Sequence, residues 1–330
     1  MRAALVAEGG AFDLVTVADP VPQAGELLLR VTSCGLCGSD LKARGVMPAG
    51  SIMGHEFGGQ VIGIGADTSG WVEGVQVAVL PVASCGTCAW CRAGDVVHCS
   101  SVQLMGLGGR PGGFAEFTVV PATSSFAVPD AVDPVHAALV EPYAVGLHCV
   151  QASQLVAGDD VLVIGAGTVG LTTIAWARQR GAGRITVVDP VAERRVSGAA
   201  FGATDTLEDP EHATPNAYDV VVECVGKPGL LNRCVAAIRP KGRIVVAGTC
   251  AEPDSFWSIA ALMKEAVIRF AVYYSPAEFH TVIDAFASQS INPRPLVGRE
   301  TELTELNEAF AALAANSING KILVTPSQAK

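Results

Sequence analysis

Four cysteines crowd one short stretch of the sequence: Cys85, Cys88, Cys91 and Cys99, spaced C-x2-C-x2-C-x7-C. Four thiolates on one loop repel one another unless a cation sits among them. The set matches a closed tetrahedral zinc site with no position left for water, which makes its role structural. An iron–sulfur cluster uses similar ligands, and spacing by itself leaves that alternative open. A zinc ribbon for nucleic acid fits less well, because the loop's charges, Arg92 and Asp95, form no basic surface.

Other donors are scattered. Cys37 sits in Gly35-Leu36-Cys37-Gly38-Ser39-Asp40, His55 and Glu56 sit in Gly54-His55-Glu56-Phe57-Gly58-Gly59, and Glu141 precedes Pro142-Tyr143. One thiolate, one imidazole and one or two carboxylates can hold zinc while leaving a place for water or a substrate oxygen. Taken singly, Cys37 reads more readily as a buried thiol and His55 as an ordinary satisfied histidine, and spacing does not bring them together.

The third constellation is Gly165-Ala166-Gly167-Thr168-Val169-Gly170, a G-x-G-x-x-G between a strand and a helix. The first glycine makes a tight turn, the second lets a pyrophosphate approach the backbone, and the third lets helix and strand pack closely. The helix N-terminus, beginning at Thr168 and Val169, offers unpaired N–H groups to phosphate. Asp189 ends the next strand, 19 residues after Gly170. A carboxylate there hydrogen-bonds ribose hydroxyls and repels a 2′-phosphate, favouring NAD over NADP. Arg194 and Arg195 follow closely enough to leave part of that preference open.

Elements must position these groups. Up to about residue 145 the chain reads as short strands cut by Gly and Pro: LLLRVTSCGLC, FGGQVIGIG, VQVAVLPVA and FAEFTVV. The texture then changes. The buried-strand run VLVIG, the glycine turn, a helix through Arg180, ITVVDP, a helix over 193–201, DVVVECVG, a helix over 230–238, RIVVAG and VIRFAVYY alternate in βαβ fashion. This pattern specifies a parallel sheet covered on both faces. From about 288 come Asn-Pro-Arg-Pro, a helix over 305–315 and a last strand, KILVTP, expected to return to the first domain. Of 330 residues, half are hydrophobic and 16% charged, as in a well-packed globular chain. The net charge of −10 and the lack of a basic stripe exclude nucleic acid and anionic membrane as main partners. MRAALVAEGG is too short an apolar run for an export signal. No stretch approaches the ~18–20 apolar residues of a membrane span. The expected location is cytoplasmic, where cysteines are thiols or metal ligands.

Taken together, GLCGSD, GHEFGG, the four-cysteine loop, GGFAEF, EPYAVGLH and GAGTVG resemble the zinc-containing medium-chain alcohol dehydrogenase family over nearly the full length, in the family's order. The chain is most similar to the polyol, threonine and butanediol dehydrogenase branch, because Glu141 stands where ethanol-type enzymes carry a cysteine ligand. The resemblance implies an α/β architecture: a GroES-like β domain from residues 1–145 and 288–330, and a Rossmann doubly wound parallel-sheet domain from 146–287 with the active site in the cleft. It implies two zinc ions per chain. Cys37 and His55 match catalytic zinc ligands, and Glu56 and Glu141 are alternatives for the remaining one. Ser39 matches the hydroxyl that takes the alcohol proton. A homodimer or homotetramer is expected.

Lys42 departs from the family pattern, standing where many relatives have a histidine that passes the proton to solvent. The stretch from Asp40 to His55 is also shorter than in most polyol dehydrogenases, which removes part of the cleft rim. The implied reaction moves hydride between a secondary alcohol and NAD+, giving a ketone and NADH. A bulky or cyclic alcohol, diol or polyol suits the wide entrance. Phe57, Trp257, Phe270 and Tyr274 are possible liners of the pocket. Two other readings use the same scaffold: a zinc-independent NAD(P)H double-bond reductase, and a non-enzymatic NADH sensor holding only the structural metal.

Overall fold

A computed structural model describes residues 1–326. The chain folds as two compact units, Met1–Glu141 with the segment from Ser275 onward, and Pro142–Tyr274.

The first unit is built on a seven-stranded sheet. Its spatial order is Val297–Glu302, Lys321–Thr325, Glu26–Gly35, Glu56–Ile64, Gln76–Val79, Ser125–Ala127, and Phe117–Pro121 also pairs with Glu26–Gly35. In that central strand Leu27, Leu29 and Val31 alternate inward, as the two-residue period of a strand requires. Phe12, Phe114 and Phe310 close the core, with ring centroids 4.9–6.0 Å apart. The strand that ends at Gly35 pairs antiparallel with three neighbours, and at its end Gly35 faces Glu56 on one side and Leu323 on the other. That register draws Cys37, Glu56 and the last strand to one end of the sheet.

The second unit is a six-stranded, wholly parallel sheet. Its order is Asp205–Leu207, Ile185–Val188, Val161–Ile164, Tyr218–Glu223, Ile238–Val246, Val267–Phe270. Numbered along the unit, the order is 3-2-1-4-5-6, the doubly wound arrangement whose switch point lies between its first and fourth strands. Val161–Ile164, Ile185–Val188 and Tyr218–Glu223 are buried at every position, as expected of a sheet covered on both faces. Helices Thr168–Gln179, Ala192–Phe201 and Leu230–Ala237 form where the apolar periodicity places them.

Two features differ from the sequence reading. The edge strand stops at Phe270 instead of running to 274, and Tyr273 adopts a left-handed φ of 55°. Helix Pro276–Ala287, assigned from sequence to the nucleotide-binding part, packs in the first unit, where Phe279 lies 5.0 Å from Phe126. A capping box between Ser275 and Glu278 starts that helix. The units therefore divide at 141/142 and 274/275.

Candidate active site and metal centres

Cys37 precedes the short helix Gly38–Ala43, and His55 and Glu56 lead into the strand Glu56–Ile64. Ligand atoms of Cys37, His55 and Glu56 all lie within 4.8 Å of one another. Asp40 holds the arrangement. One of its oxygens lies 3.0 Å from His55 Nδ1, and the other accepts the Cys37 backbone N–H at 2.9 Å. Asp40 is completely buried, so this carboxylate sets the ring's orientation and leaves Nε2 for other partners. Burial disfavours a charged His55 ring. The Asp40 carboxylate and the Cys37 side chain outweigh it and hold the pKa well above its usual value. A proton is drawn to the place where a cation suits the same donors.

Glu56 is also buried. Its Oε1 accepts from Lys321 Nζ at 2.7 Å, while Oε2 has no hydrogen-bond partner. Gly35 makes room for this carboxylate: a Cβ there would lie 2.1 Å from Oε2. An orphaned, buried carboxylate oxygen beside a thiol and an imidazole fits a divalent cation. Glu141 is buried in the first turn of helix Val140–Ala152. Its carboxylate is not among the atoms of the close cluster, although its charge helps to raise the pKa of Lys321. Ser39 is half-buried on the short helix, and Lys42 is exposed on the same helix. Phe57 lies in the apolar core of its unit, which removes it as a pocket liner. Tyr274 is buried, and Trp257 and Phe270 are exposed.

The four-cysteine loop is compact. All four sulfurs lie within 4.8 Å of one another, with Cys88 and Cys91 at 3.5 Å and Cys85 and Cys91 at 3.9 Å. None forms a disulfide. Backbone N–H groups of Thr87 and Cys88 point at Cys85 Sγ, and those of Cys85 and Ser101 at Cys99 Sγ. Hydrogen bonds from Thr87 and Cys88 bring the Cys85 thiol down to about 5. This is the donor pattern of a thiolate metal site, and the set fits zinc.

In the second unit the glycines have the backbone geometry that the motif's three roles require. Gly165 has φ +100°. A Cβ at Gly167 would meet nothing within 4 Å, whereas one at Gly170 would lie 1.8 Å from the Gly165 carbonyl oxygen. The open space at Gly167, the residue before helix Thr168–Gln179, suits a pyrophosphate. Asp189 is buried, and its two oxygens accept N–H groups of Ala166 at 3.0 Å and Val191 at 2.9 Å. Each oxygen keeps lone-pair capacity for a ribose hydroxyl. Arg195 is committed to the backbone oxygens of Asp189 and Pro190, at 2.7 and 3.1 Å.

Two participants escaped the sequence reading. Asp40 follows Cys37 by three residues, a helix-start spacing that could have flagged it. Lys321 carried no signal, since a lysine at the head of KILVT reads as a strand boundary.

The model of the alcohol dehydrogenase GroES-like domain matches residues 23–130, and that of zinc-binding dehydrogenases matches residues 168–288. A 2-dehydro-3-deoxy-L-galactonate 5-dehydrogenase of Pseudoalteromonas atlantica is 30% identical, covering 95% of each chain. The chain belongs to the zinc-binding alcohol dehydrogenase family. Galactitol 1-phosphate 5-dehydrogenase of Escherichia coli is 28% identical to this dehydrogenase over 94% of this chain and 95% of that one. The crystal structure of a zinc-binding dehydrogenase from Sinorhizobium meliloti bound to NADP superposes with a TM-score of 0.92 at 29% identity, covering 98% and 99% of the two chains. The dehydrogenase is thus an NAD(P)-linked alcohol oxidoreductase of a zinc-binding family, with the α/β, GroES-like and Rossmann fold. No helix among its described residues is long and apolar enough to cross a membrane.

Proposed function

We propose that this dehydrogenase oxidises a secondary alcohol to a ketone with NAD+, at a zinc held by Cys37 and His55. The substrate class is a bulky or cyclic alcohol, a diol or a polyol. The observation that carries the reading is the convergence of Cys37, His55 and Glu56 within 4.8 Å, braced by the buried Asp40. A zinc ion held by Cys37 and His55 would supply a Lewis acid for an alcohol oxygen, and NAD at the glycine turn would supply the hydride acceptor.

The chain's own groups do the rest. Glu56 and Glu141 are both buried carboxylates available to complete the donor set, with Glu56 the nearer to Cys37 and His55. Ser39 is the proposed acceptor of the alcohol proton, two residues from Cys37 on the same short helix. Lys42 lies one helical turn farther along and is the proposed partner of cofactor phosphate or ribose. The turn Gly165–Gly170, with Thr168 and Val169 at the helix start, takes the pyrophosphate. Asp189 takes the adenosine ribose, and Arg194 flanks it. Cys85, Cys88, Cys91 and Cys99 hold the second, structural zinc. The preference for a polyol or sugar-derived alcohol draws support from relatives named for galactitol 1-phosphate, sorbitol and L-galactonate.

A second copy of the chain is the proposed partner. Among the described residues the strand Val267–Phe270 pairs on one side only, and Leu262, Met263, Val267 and Phe270 are exposed near it. Two open apolar edges related by a two-fold axis pair with each other and bury this surface.

The test is zinc content measured together with NAD+ reduction over a panel of secondary alcohols, diols and polyols. Two zinc ions per chain with NADH formation are expected. One zinc ion and no turnover would overturn the reading and favour the double-bond reductase or the NADH sensor. Best efficiency on ethanol would overturn the substrate class.

A further inference from the structure

At the carboxyl ends of the second unit's strands, a buried glutamate joins two loops. Glu223 is the last residue of the strand Tyr218–Glu223, and its side chain is 3% exposed. Its Oε1 accepts two consecutive backbone N–H groups, from Val225 at 2.6 Å and Gly226 at 2.8 Å. Its main-chain oxygen accepts two more, from Ala247 at 2.8 Å and Gly248 at 3.0 Å, at the end of the neighbouring strand. The fit between the loops is close. A Cβ on Gly248 would lie 2.1 Å from Gly226 N and 2.5 Å from Glu223 Oε2, and one on Gly226 would lie 2.5 Å from the Thr249 backbone. Val225, oriented by this carboxylate, abuts the phosphate turn: a Cβ on Gly165 would lie 2.7 Å from Val225 Cγ2.

Burying a carboxylate is costly, and burial raises the pKa of Glu223 despite the N–H groups that face it. Stabilising one turn is a task that a neutral Asn or Ser performs elsewhere without that cost. Here the carboxylate holds loop 224–226 and packs against Gly248, while the main-chain oxygen of the same residue holds loop 247–249, so one residue joins both loops.

Those loops have a defined place in the nucleotide fold. A doubly wound sheet consists of two mononucleotide-binding halves, and its ligand lies outside the carboxyl ends of the strands at the switch point. The glycine turn and Asp189 belong to the first half, with strands Val161–Ile164 and Ile185–Val188. The loops after Glu223 and Val246 belong to the second. We infer that Glu223 is a positioning residue for the nicotinamide mononucleotide half of the cofactor, holding loops 224–226 and 247–249 as one wall of that subsite. The inference rests on the NAD reading above.

The test is equilibrium binding of NADH and of AMP, by fluorescence and calorimetry, to the wild-type protein and to Glu223→Ala, Glu223→Gln and Gly248→Ala. Melting curves establish that each variant is folded at the assay temperature. Two backbone donors lose their acceptor in Glu223→Ala, so its NADH affinity is expected to fall about tenfold or more, with AMP affinity unchanged. Glu223→Gln keeps an oxygen for both donors and is expected to stay within about threefold of wild type. Gly248→Ala forces the same joint apart and is expected to weaken NADH but not AMP; it decides the matter if Glu223→Ala does not fold. Unchanged NADH affinity in a folded Glu223→Ala or in Gly248→Ala would overturn the inference. So would equal weakening of AMP, or a Gln variant no better than Ala. Failure of the wild type to bind NADH would overturn the cofactor reading itself.

Discussion

Lys321 Nζ lies 2.7 Å from Glu56 Oε1, with each side chain only 2% exposed. The ammonium also donates to the Leu36 carbonyl at 3.0 Å. Burial disfavours its charge, but Glu56 and Cys37 more than compensate and keep the lysine protonated. The last strand of the first unit thus supplies a fixed positive charge to the site that gathers Cys37, Asp40 and Glu56. Lys321→Met strands a buried carboxylate and is expected to cost about 3–5 kcal/mol of stability, read by urea unfolding. Stability within experimental error of wild type would show that the pair does not hold the strand in place.

Asp40 orients His55 and the Cys37 backbone together, so Asp40→Ala is expected to lower zinc affinity at that site by about 10–100-fold. Competition with a chelator reads this directly. The four-cysteine site serves as an internal control, because no Asp40 contact reaches it. Loss of both metals in parallel would point to general unfolding instead.

Cys99 is the buried member of its cluster, and its sulfur accepts N–H groups of Cys85 and Ser101 at 3.3 and 3.4 Å. Cys99→Ser is expected to remove one zinc ion per chain and to open residues 85–99 to limited proteolysis. A full complement of zinc in that variant would mean the loop does not bind metal through this residue.

Asp189 links the glycine turn to the second strand through Ala166 and Val191. Asp189→Ala frees both N–H groups and removes the charge that disfavours a 2′-phosphate. The expected result is weaker NADH binding, by about tenfold, and a narrowed gap between NADH and NADPH. An undiminished preference for NADH would place the discrimination elsewhere.

Two partly buried carboxylates make stability depend on pH. Burial raises the pKa of Glu26, but the Gln23 N–H and the Arg110 guanidinium outweigh it and hold it below the usual value. Burial likewise opposes ionisation of Glu116, which accepts from the Arg2 backbone N at 2.6 Å and Nε at 2.9 Å and is also held low. Both bind protons more weakly folded than unfolded. Their contribution is complete above the ordinary carboxylate pKa and is lost as pH falls through the folded values. Melting temperature is therefore expected to decline as pH falls below about 5, through the ordinary carboxylate pKa and on towards the lower folded values. Glu116→Gln should flatten part of that decline, and an identical slope would remove Glu116 as a contributor.

The sequence by itself determined the elements whose signals are local. The run VLVIG, the three glycines after it and Asp189 were legible as a strand, a glycine turn and a buried carboxylate, because tight turn, open approach and close packing each depend on a residue and its immediate neighbours. The four cysteines were equally legible, since one short loop carries all the donors. Tertiary structure decided what depends on partners distant in the chain. Helix Pro276–Ala287 joined the first unit because Phe279 meets Phe126, a pairing that no local periodicity encodes. Cys37, His55 and Glu56 became a cluster because antiparallel register sets Gly35 opposite Glu56. Lys321 reached that cluster from the far end of the sequence because its strand lies beside Glu26–Gly35. A buried charge is stable only against its partner, and the position of that partner is a property of the folded sheet.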